Sequence, residues 1–238
     1  MIKSQQKRKM VVANMLTIDL LKRTDLSQSL SPECLDAVYS IFAKKSFSRT
    51  FEPGEILIRK GDPFNYLLIV ESGLIKSFDY TTRGELIFFY YFSQYHIAGL
   101  VSCTLGSNAS SDYVANQKTT ITYIPRESYL SACRLLPEFQ GAVLKRVCKN
   151  AERQIEISIL SRCKYAKDRL CLWLFHQYTN TRAISIPIEF TIESLSNYLG
   201  LTRTCLSKEL HTLEAEGVIS LSRKEIQIKD LETLKKYI

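Results

Sequence analysis

The chain has 238 residues, 45% hydrophobic and 24% charged, with a formal net charge of +8. That is an ordinary globular composition with enough chain for two buried cores. No stretch approaches the roughly 18 apolar residues of a membrane span, which excludes an integral helical membrane protein. The positive balance suits a polyanionic partner. Residues 165–238, however, hold 10 Lys and Arg against 9 Asp and Glu, and Lys3, Lys7, Arg8 and Lys9 crowd the N-terminus. Bulk charge is therefore permissive, and the arrangement of residues has to carry the argument. Seven cysteines (Cys34, Cys103, Cys133, Cys148, Cys163, Cys171 and Cys205) are scattered and form no CxxC pair. They read as reduced thiols and exclude a secreted disulfide framework. Asn14, Thr17 and Asp19 interrupt any apolar h-region behind the basic N-terminus, so a cytoplasmic protein is expected.

In chain order, residues 1–45 read as loosely organised helix. Leu16, Leu20 and Leu21 offer an apolar stripe, and Ser31-Pro32-Glu33 opens a helix through Leu35, Val38 and Phe42, with proline at its first position. From Lys45 the character changes. Turn signals recur at Pro53-Gly54-Glu55, Lys60-Gly61-Asp62, Glu71-Ser72-Gly73 and Arg83-Gly84-Glu85. Between them lie β-rich runs at Ile56–Arg59, Tyr66–Val70, Leu74–Tyr80 and Leu86–Phe92, continued by Tyr113–Ala115 and Thr119–Ile124. Short strands between regularly spaced glycines predict a β-barrel or jelly-roll ending near Pro125. The dense run Leu86–Phe92 reads either as a strand buried on both faces or as the lining of a pocket that accepts aromatic compounds.

Pro137 opens a long helix. Leu144, Cys148, Ala151, Ile155 and Ser158 alternate at spacings of four and three, and Val147 and Ile159 broaden the seam. Lys145, Lys149, Glu152 and Glu156 are assigned to the other face. A single helix of this length has little to bury such a stripe against except a second copy of itself, so a homodimer is expected. The pattern breaks near Arg162-Cys163-Lys164, the expected hinge. A shorter helix with Leu170, Trp173, Leu174 and Tyr178 then begins the C-terminal core.

The stretch from Phe190 to Ile219 reads as two short helices joined by a tight turn. Thr191 caps the first, Leu195 and Leu199 share a face, and Gly200 supplies the left-handed end. Thr202 caps the second, whose buried stripe is Leu206, Leu210 and Leu213. Its other face carries Arg203, Thr204, Ser207, Lys208 and His211, hydrogen-bonding side chains at the end where a helix-turn-helix meets base edges. Gly217 closes it, and two apolar runs around Ser222-Arg223-Lys224 form a hairpin with a basic tip. A helix-turn-helix followed by such a hairpin is a winged helix, and a DNA-binding module is expected.

With the segments FEPGEILIRKGD, IVESGLIKSF and LTRTCLSKELHTLEAEGVISLSRKEIQI in place around the long helix, the sequence resembles the Crp/Fnr family of bacterial transcription regulators over about residues 45–230. The resemblance implies an α+β architecture: a cyclic-nucleotide-binding-like β-roll (a double-stranded jelly-roll), a dimerisation helix and a C-terminal winged helix-turn-helix. It divides the chain into an effector-sensing domain with N-terminal helices over residues 1–136, a dimerisation helix and hinge over 137–163, and a DNA-binding domain over 164–238. It implies a homodimeric regulator, an activator recruiting RNA polymerase, on near-palindromic sites in double-stranded DNA. Thr202, Arg203, Thr204, Ser207, Lys208, Arg223 and Lys224 are its expected DNA contacts. Arg203 stands where the family reads guanine and Lys208 replaces a second arginine. Thr204 replaces the usual glutamate, so the half-site should differ from the best-known consensus.

The departures bear on the effector. Members that bind cyclic nucleotides carry a Gly-Glu pair and an Arg-Ser/Thr-Ala triplet; here those places read Ile97-Ala98-Gly99-Leu100 and Ser110-Ser111-Asp112. Neither the carboxylate for a ribose nor the guanidinium for a phosphate is present, and Asp112 would repel the anion, so cyclic AMP is not expected. A different small molecule is expected, with Phe89, Tyr91, Gly99, Leu100, Ser110 and Ser111 as its candidate contacts. No cofactor or metal is expected. Only Cys34 lies in the first hundred residues, too few for the N-terminal cysteine cluster of iron–sulfur members, and His96 is the lone histidine of the sensing half. Three alternatives stay open: control by thiol oxidation at Cys148 or Cys205, a regulator with no effector, and a cupin-like metal enzyme. The last lacks the paired histidines that such a site needs, and no enzyme is expected.

Overall fold

The computed structural model describes residues 16–80, 82–84, 86–188 and 191–238, with the backbone alone for residues 86–89 and 180. Lys3, Lys7, Arg8, Lys9, Glu85 and Phe190, and the side chain of Phe89, therefore lie outside the described residues. The chain forms two compact units, one ending at Lys149 and the other beginning at Asn150.

The first unit opens with α1 (Ile18–Lys22), capped by the Thr17 hydroxyl, and α2 (Pro32–Phe42), capped by Ser31 with Pro32 as its first residue. Eight strands follow: β1 (Phe47–Phe51), β2 (Ile56–Ile58), β3 (Tyr66–Ser72), β4 (Leu74–Tyr80), β5 (Leu86–Ser93), β6 (Ile97–Ala98), then α3 (Leu100–Leu105), β7 (Asp112–Ala115) and β8 (Thr119–Pro125). They pair antiparallel as two sheets, ordered β1-β8-β3-β6 and β2-β7-β4-β5. Phe51, Leu68, Val70, Ile75, Ala115 and Ile121 are fully buried between them, which is the jelly-roll that alternating strands and turn glycines predict. At the β3–β4 turn Gly73 has φ +93°, and a Cβ there would lie 2.5 Å from the Lys118 carbonyl oxygen, so only glycine fits.

Several features differ from expectation, among them the strands β1 and β6, which no predicted β-rich run covers. β5 is an edge strand of its sheet, and its described side chains Tyr90, Tyr91 and Phe92 are only half-buried, so this end of the run Leu86–Phe92 is not buried on both faces. Helices α3 and α4 (Arg126–Leu135) were not anticipated. The first is a six-residue helix bracketed by left-handed Gly99 and Gly106; the second follows a strand without a turn and buries Ser128, Tyr129 and Ala132.

The long helix is α5 (Pro137–Arg162). Its first turns belong to the first unit: Phe139 is 1% exposed and meets Phe42 and Tyr129 edge-on, with ring centroids 5.7 and 6.4 Å away. Its last turns belong to the second unit, with Leu160 buried there, and the helix ends at Arg162, where the sequence pattern breaks. That unit continues with α6 (Ala166–Thr181), β9 (Ser185–Pro187), α7 (Ile192–Leu199), α8 (Arg203–Ala215), β10 (Ile219–Leu221), β11 (Glu225–Ile228) and α9 (Leu231–Lys235). The strands form an antiparallel sheet ordered β10-β11-β9. Glu156, expected on the solvent face of α5, instead turns into this unit. It accepts the Tyr198 hydroxyl and meets His176 Nδ1 at 3.3 Å, while Arg153 lies over the Tyr198 ring. Burial and the Glu156 carboxylate push the Tyr198 phenol upward. Among the described residues no helix is long and apolar enough to cross a membrane.

The start of α2 is tied to α5 by charge. Glu138 accepts both the Ser31 amide and the Ser31 hydroxyl, the latter at 2.7 Å, and these bonds hold its carboxyl below the usual range. A depressed native pKa adds stability above the unfolded value, near 4.3, and loses it as pH falls through the native value. Glu138→Gln should therefore lower the melting temperature at pH 7, and the gap from the wild type should narrow in thermal melts as pH falls below the unfolded value, about 4.3.

Candidate nucleic-acid interface

Three local devices build the interface. At the start of α7 the Thr191 hydroxyl accepts the Ser194 amide at 3.1 Å, and the Ser194 hydroxyl accepts the Thr191 amide at 3.0 Å, a reciprocal capping box. At its end Gly200 has φ +64°, and Arg169 of α6 donates to the carbonyls of Leu199 (2.8 Å), Gly200 (3.2 Å) and Cys163 (3.0 Å). The turn is thus fixed from outside itself. Two residues later the Thr202 hydroxyl accepts the Cys205 amide at 3.1 Å and starts α8.

The facing of α8 follows from what it buries. Leu206, Leu210 and Leu213 are 0%, 4% and 0% exposed, packed with Leu195, Leu199 and the α6 residues Leu170 and Leu174. Each such burial is worth roughly 1.5–3 kcal/mol, which leaves no freedom to rotate the helix. Outside stand Thr202, Arg203, Thr204, Lys208 and His211, with Ser207 half-buried among them. The first turn of α8 adds the partial positive charge of a helix N-terminus. Arg203 is ion-paired with Glu193 in the first turn of α7. Sequence reasoning missed Glu193, because an acid in a first turn reads as a complement to that helix's own dipole. At the far end of α8, Glu214 accepts the Leu221 amide at 2.9 Å and fastens the hairpin to the helix. The hairpin closes where the Ser222 hydroxyl accepts the amides of Lys224 (3.2 Å) and Glu225 (3.1 Å), leaving Arg223 and Lys224 exposed at the tip.

The candidate effector residues stand in different settings. Phe89 lies on β5 with its side chain undescribed. Tyr91 is paired in register with Lys76, whereas Tyr90 and Phe92 pair with the buried Ser77 and Ile75. The period of two along a strand therefore places Tyr91 on the face opposite Tyr90 and Phe92. The rings that do meet run Tyr90, Phe92, Tyr113, Phe64, with successive centroids 4.7, 5.9 and 5.4 Å apart. Gly99 has φ +96° with the Phe64 ring where a Cβ would go, and Leu100 is buried. Ser110 is exposed, while Ser111 is buried and shares a 2.7 Å hydrogen bond with Ser77. The Asp112 carboxylate accepts the Lys60 amide at 2.7 Å. His96 is engaged through Nδ1 by the amide (3.0 Å) and hydroxyl (2.7 Å) of Ser93.

Comparison with known proteins follows these two units. Residues 48–134 match the cyclic nucleotide-binding domain family, and residues 168–237 match the Crp-like helix-turn-helix domain family. Similar proteins include the transcriptional activator protein anr of Pseudomonas aeruginosa, 25% identical over 213 residues, 86% of this chain and 84% of that protein. Another is the fumarate and nitrate reduction regulatory protein of Vibrio cholerae, 26% identical over 209 residues, 84% of this chain and 80% of that one. Among solved structures, FixK2 from Bradyrhizobium japonicum superposes with a TM-score of 0.58 at 17% identity, covering 81% of this chain and 96% of that one. A CooA mutant from Carboxydothermus hydrogenoformans gives 0.62 at 18%, covering 82% and 88%. At these identities the structures show a shared fold.

The cap at Thr202 is testable apart from any ligand. Thr202→Ala should cost about 1 kcal/mol of stability, and hydrogen exchange should show faster opening at the Cys205 amide while the α7 amides are unchanged.

Proposed function

The chain belongs to the Crp/Fnr family of transcription regulators, and on that footing we propose that it acts as a homodimer reading a near-palindromic promoter site under the control of a small molecule other than cyclic AMP. It is a DNA-binding regulator. The observation that carries the reading mode is the exposed polar edge of α8, held outward by three buried leucines. In this reading Arg203 bonds bidentately to guanine O6 and N7, Thr204, Ser207 and Lys208 contact neighbouring bases or phosphates, and Thr202 meets the backbone. Arg223 and Lys224 at the wing tip contact phosphate. Activation through RNA polymerase is carried over from the family, and two Pseudomonas relatives are named as transcriptional activators.

The dimer is supported by the surface of α5. Leu144, Cys148, Ala151, Ile155 and Ser158, the full seam at spacings of four and three, are all exposed in the single chain. Beside the first of them lies an open apolar groove of about 960 Å³, lined by Val101, Leu105, Leu130, Leu144 and Val147. Val101, Leu105 and Leu144 are 48%, 73% and 64% exposed, a patch that a second α5 would cover. A non-cyclic-nucleotide effector is supported by the ties on Ser111 and Asp112 and by the absence of an arginine or glutamate at the two expected places.

Control by thiol oxidation is the second reading, and one observation favours it at a single place. Burial pushes the Cys103 and Cys171 thiols up to about 12 and raises Cys34 and Cys133 as well, whereas Cys148 is exposed on the seam.

Selection of bound sites from random DNA should return two half-sites about one duplex turn (roughly 34 Å) apart. Arg203→Ala should relax preference at one guanine per half-site by about 1–3 kcal/mol; equal weakening on every sequence would count against base reading. Arg223→Ala or Lys224→Ala should lower affinity alike on all sequences and reduce the salt slope by about 1. Mild oxidation should cross-link the wild type through Cys148 on a non-reducing gel and leave Cys148→Ser as single chains. A wild type that stays monomeric in sedimentation would remove the dimer.

A further inference from the structure

Arg203 and Glu193 come from different helices. Arg203 is the first residue of α8 and Glu193 the second of α7, and their side chains meet through Nη2 and Oε2 while remaining 61% and 44% exposed. Surface pairs of this kind are usually worth little, because two long side chains must be ordered to make them. Here both backbones are fixed beforehand. The capping box sets the start of α7, Arg169 pins the turn, and the leucine stripe sets the rotation of α8. The charges are also unequal in their surroundings. A carboxylate is favoured in the first turn of α7, whereas a guanidinium at the first position of α8 faces the positive end of its own helix. Glu193 supplies the compensation that Arg203 lacks on its own element.

From this geometry we infer that Glu193 is the positioning residue for Arg203: it holds one edge of the guanidinium and directs the remaining donors at the base. The inference rests on Arg203 reading guanine. A guanidinium carries five N–H donors in a rigid fork, so one edge can serve a carboxylate while another serves the O6 and N7 of guanine. Without the carboxylate, Arg203 is a long flexible cation beside a ladder of phosphates, and phosphate contact carries no sequence information. With it, the same side chain is already ordered towards the groove, and its net charge is cancelled for any sequence that offers phosphates alone. Glu193 therefore acts on discrimination, by lowering the affinity for wrong sequences and sparing the right one the cost of ordering Arg203.

The test is a double-mutant cycle on full-length protein, measuring affinity for the selected site and for the same site with the Arg203 guanine replaced by adenine, over a range of salt. Glu193→Ala should narrow the ratio of the two affinities by about two- to fivefold, the span of an exposed ion pair. It should also steepen the salt dependence on the substituted site. In an Arg203→Ala background the same change should leave the ratio where it is. If Glu193→Ala raises both affinities by one factor, the acid acts by plain repulsion of phosphate and the inference is overturned. A wider ratio overturns it too, since the carboxylate would then be a competitor of guanine. If Arg203→Ala alone leaves the ratio unchanged, base reading by Arg203 fails, a different failure that removes the inference with it. Thermal melting is expected to be nearly unchanged in Glu193→Ala, because the side chain is exposed and lies outside the leucine core.

Discussion

The burial of Leu206, Leu210 and Leu213 is the constraint on which the rest of the second unit depends. A helix with three positions locked in a core can present only the complementary arc, and that arc carries Arg203, Thr204, Lys208 and His211. Chemistry at the surface is therefore fixed by hydrophobic packing beneath it. The same core fixes the companion helix, since Leu195 and Leu199 pack into it from the other side. Glu193 meets Arg203 because both helices are held by that one cluster.

The helix α5 shows how one element divides its surface. Phe139, Ala142 and Val143 are buried in the first unit and Leu160 in the second, while Leu144 and Cys148 of the first and Ala151 and Ile155 of the second are exposed. Its polar residues are divided as well. Arg146 pairs with Asp25 at 2.6 Å in the first unit, and Glu156 serves Tyr198 and His176 in the second. What remains outside is a seam of small and apolar side chains of the kind that two like helices bury together.

Much of this was legible in the sequence because short-range chemistry determines it. Ser31, Thr191 and Thr202 cap helices at the places their spacing predicts, and Gly200 ends α7 in the left-handed conformation. Six of the eight strands of the first unit followed from β-rich runs between turn glycines, whereas β1 and the two-residue β6 did not. Long-range pairing was not legible. Nothing in the run Leu86–Phe92 says that β5 lies at a sheet edge, and nothing assigns Tyr91 to the face of Lys76 instead of that of Ser77, because register is set by the partner strand. The short helix α3 carries too few residues for a periodic signal, and β9 is three residues of edge pairing. Glu156 was placed on the solvent side by its charge, whereas its partners Tyr198 and His176 lie 42 and 20 residues further along the chain.

Arg169 closes three carbonyl groups around the junction of α7 and α8, and Gly200 leaves that junction a single backbone path. An extra or missing residue there would disturb the bonds to Leu199 and Gly200 and turn the following helix out of phase with its own core. With the joint held in this way, what α8 offers to a partner is set by the side chains along its outward arc, while the backbone that carries them is not free to change length.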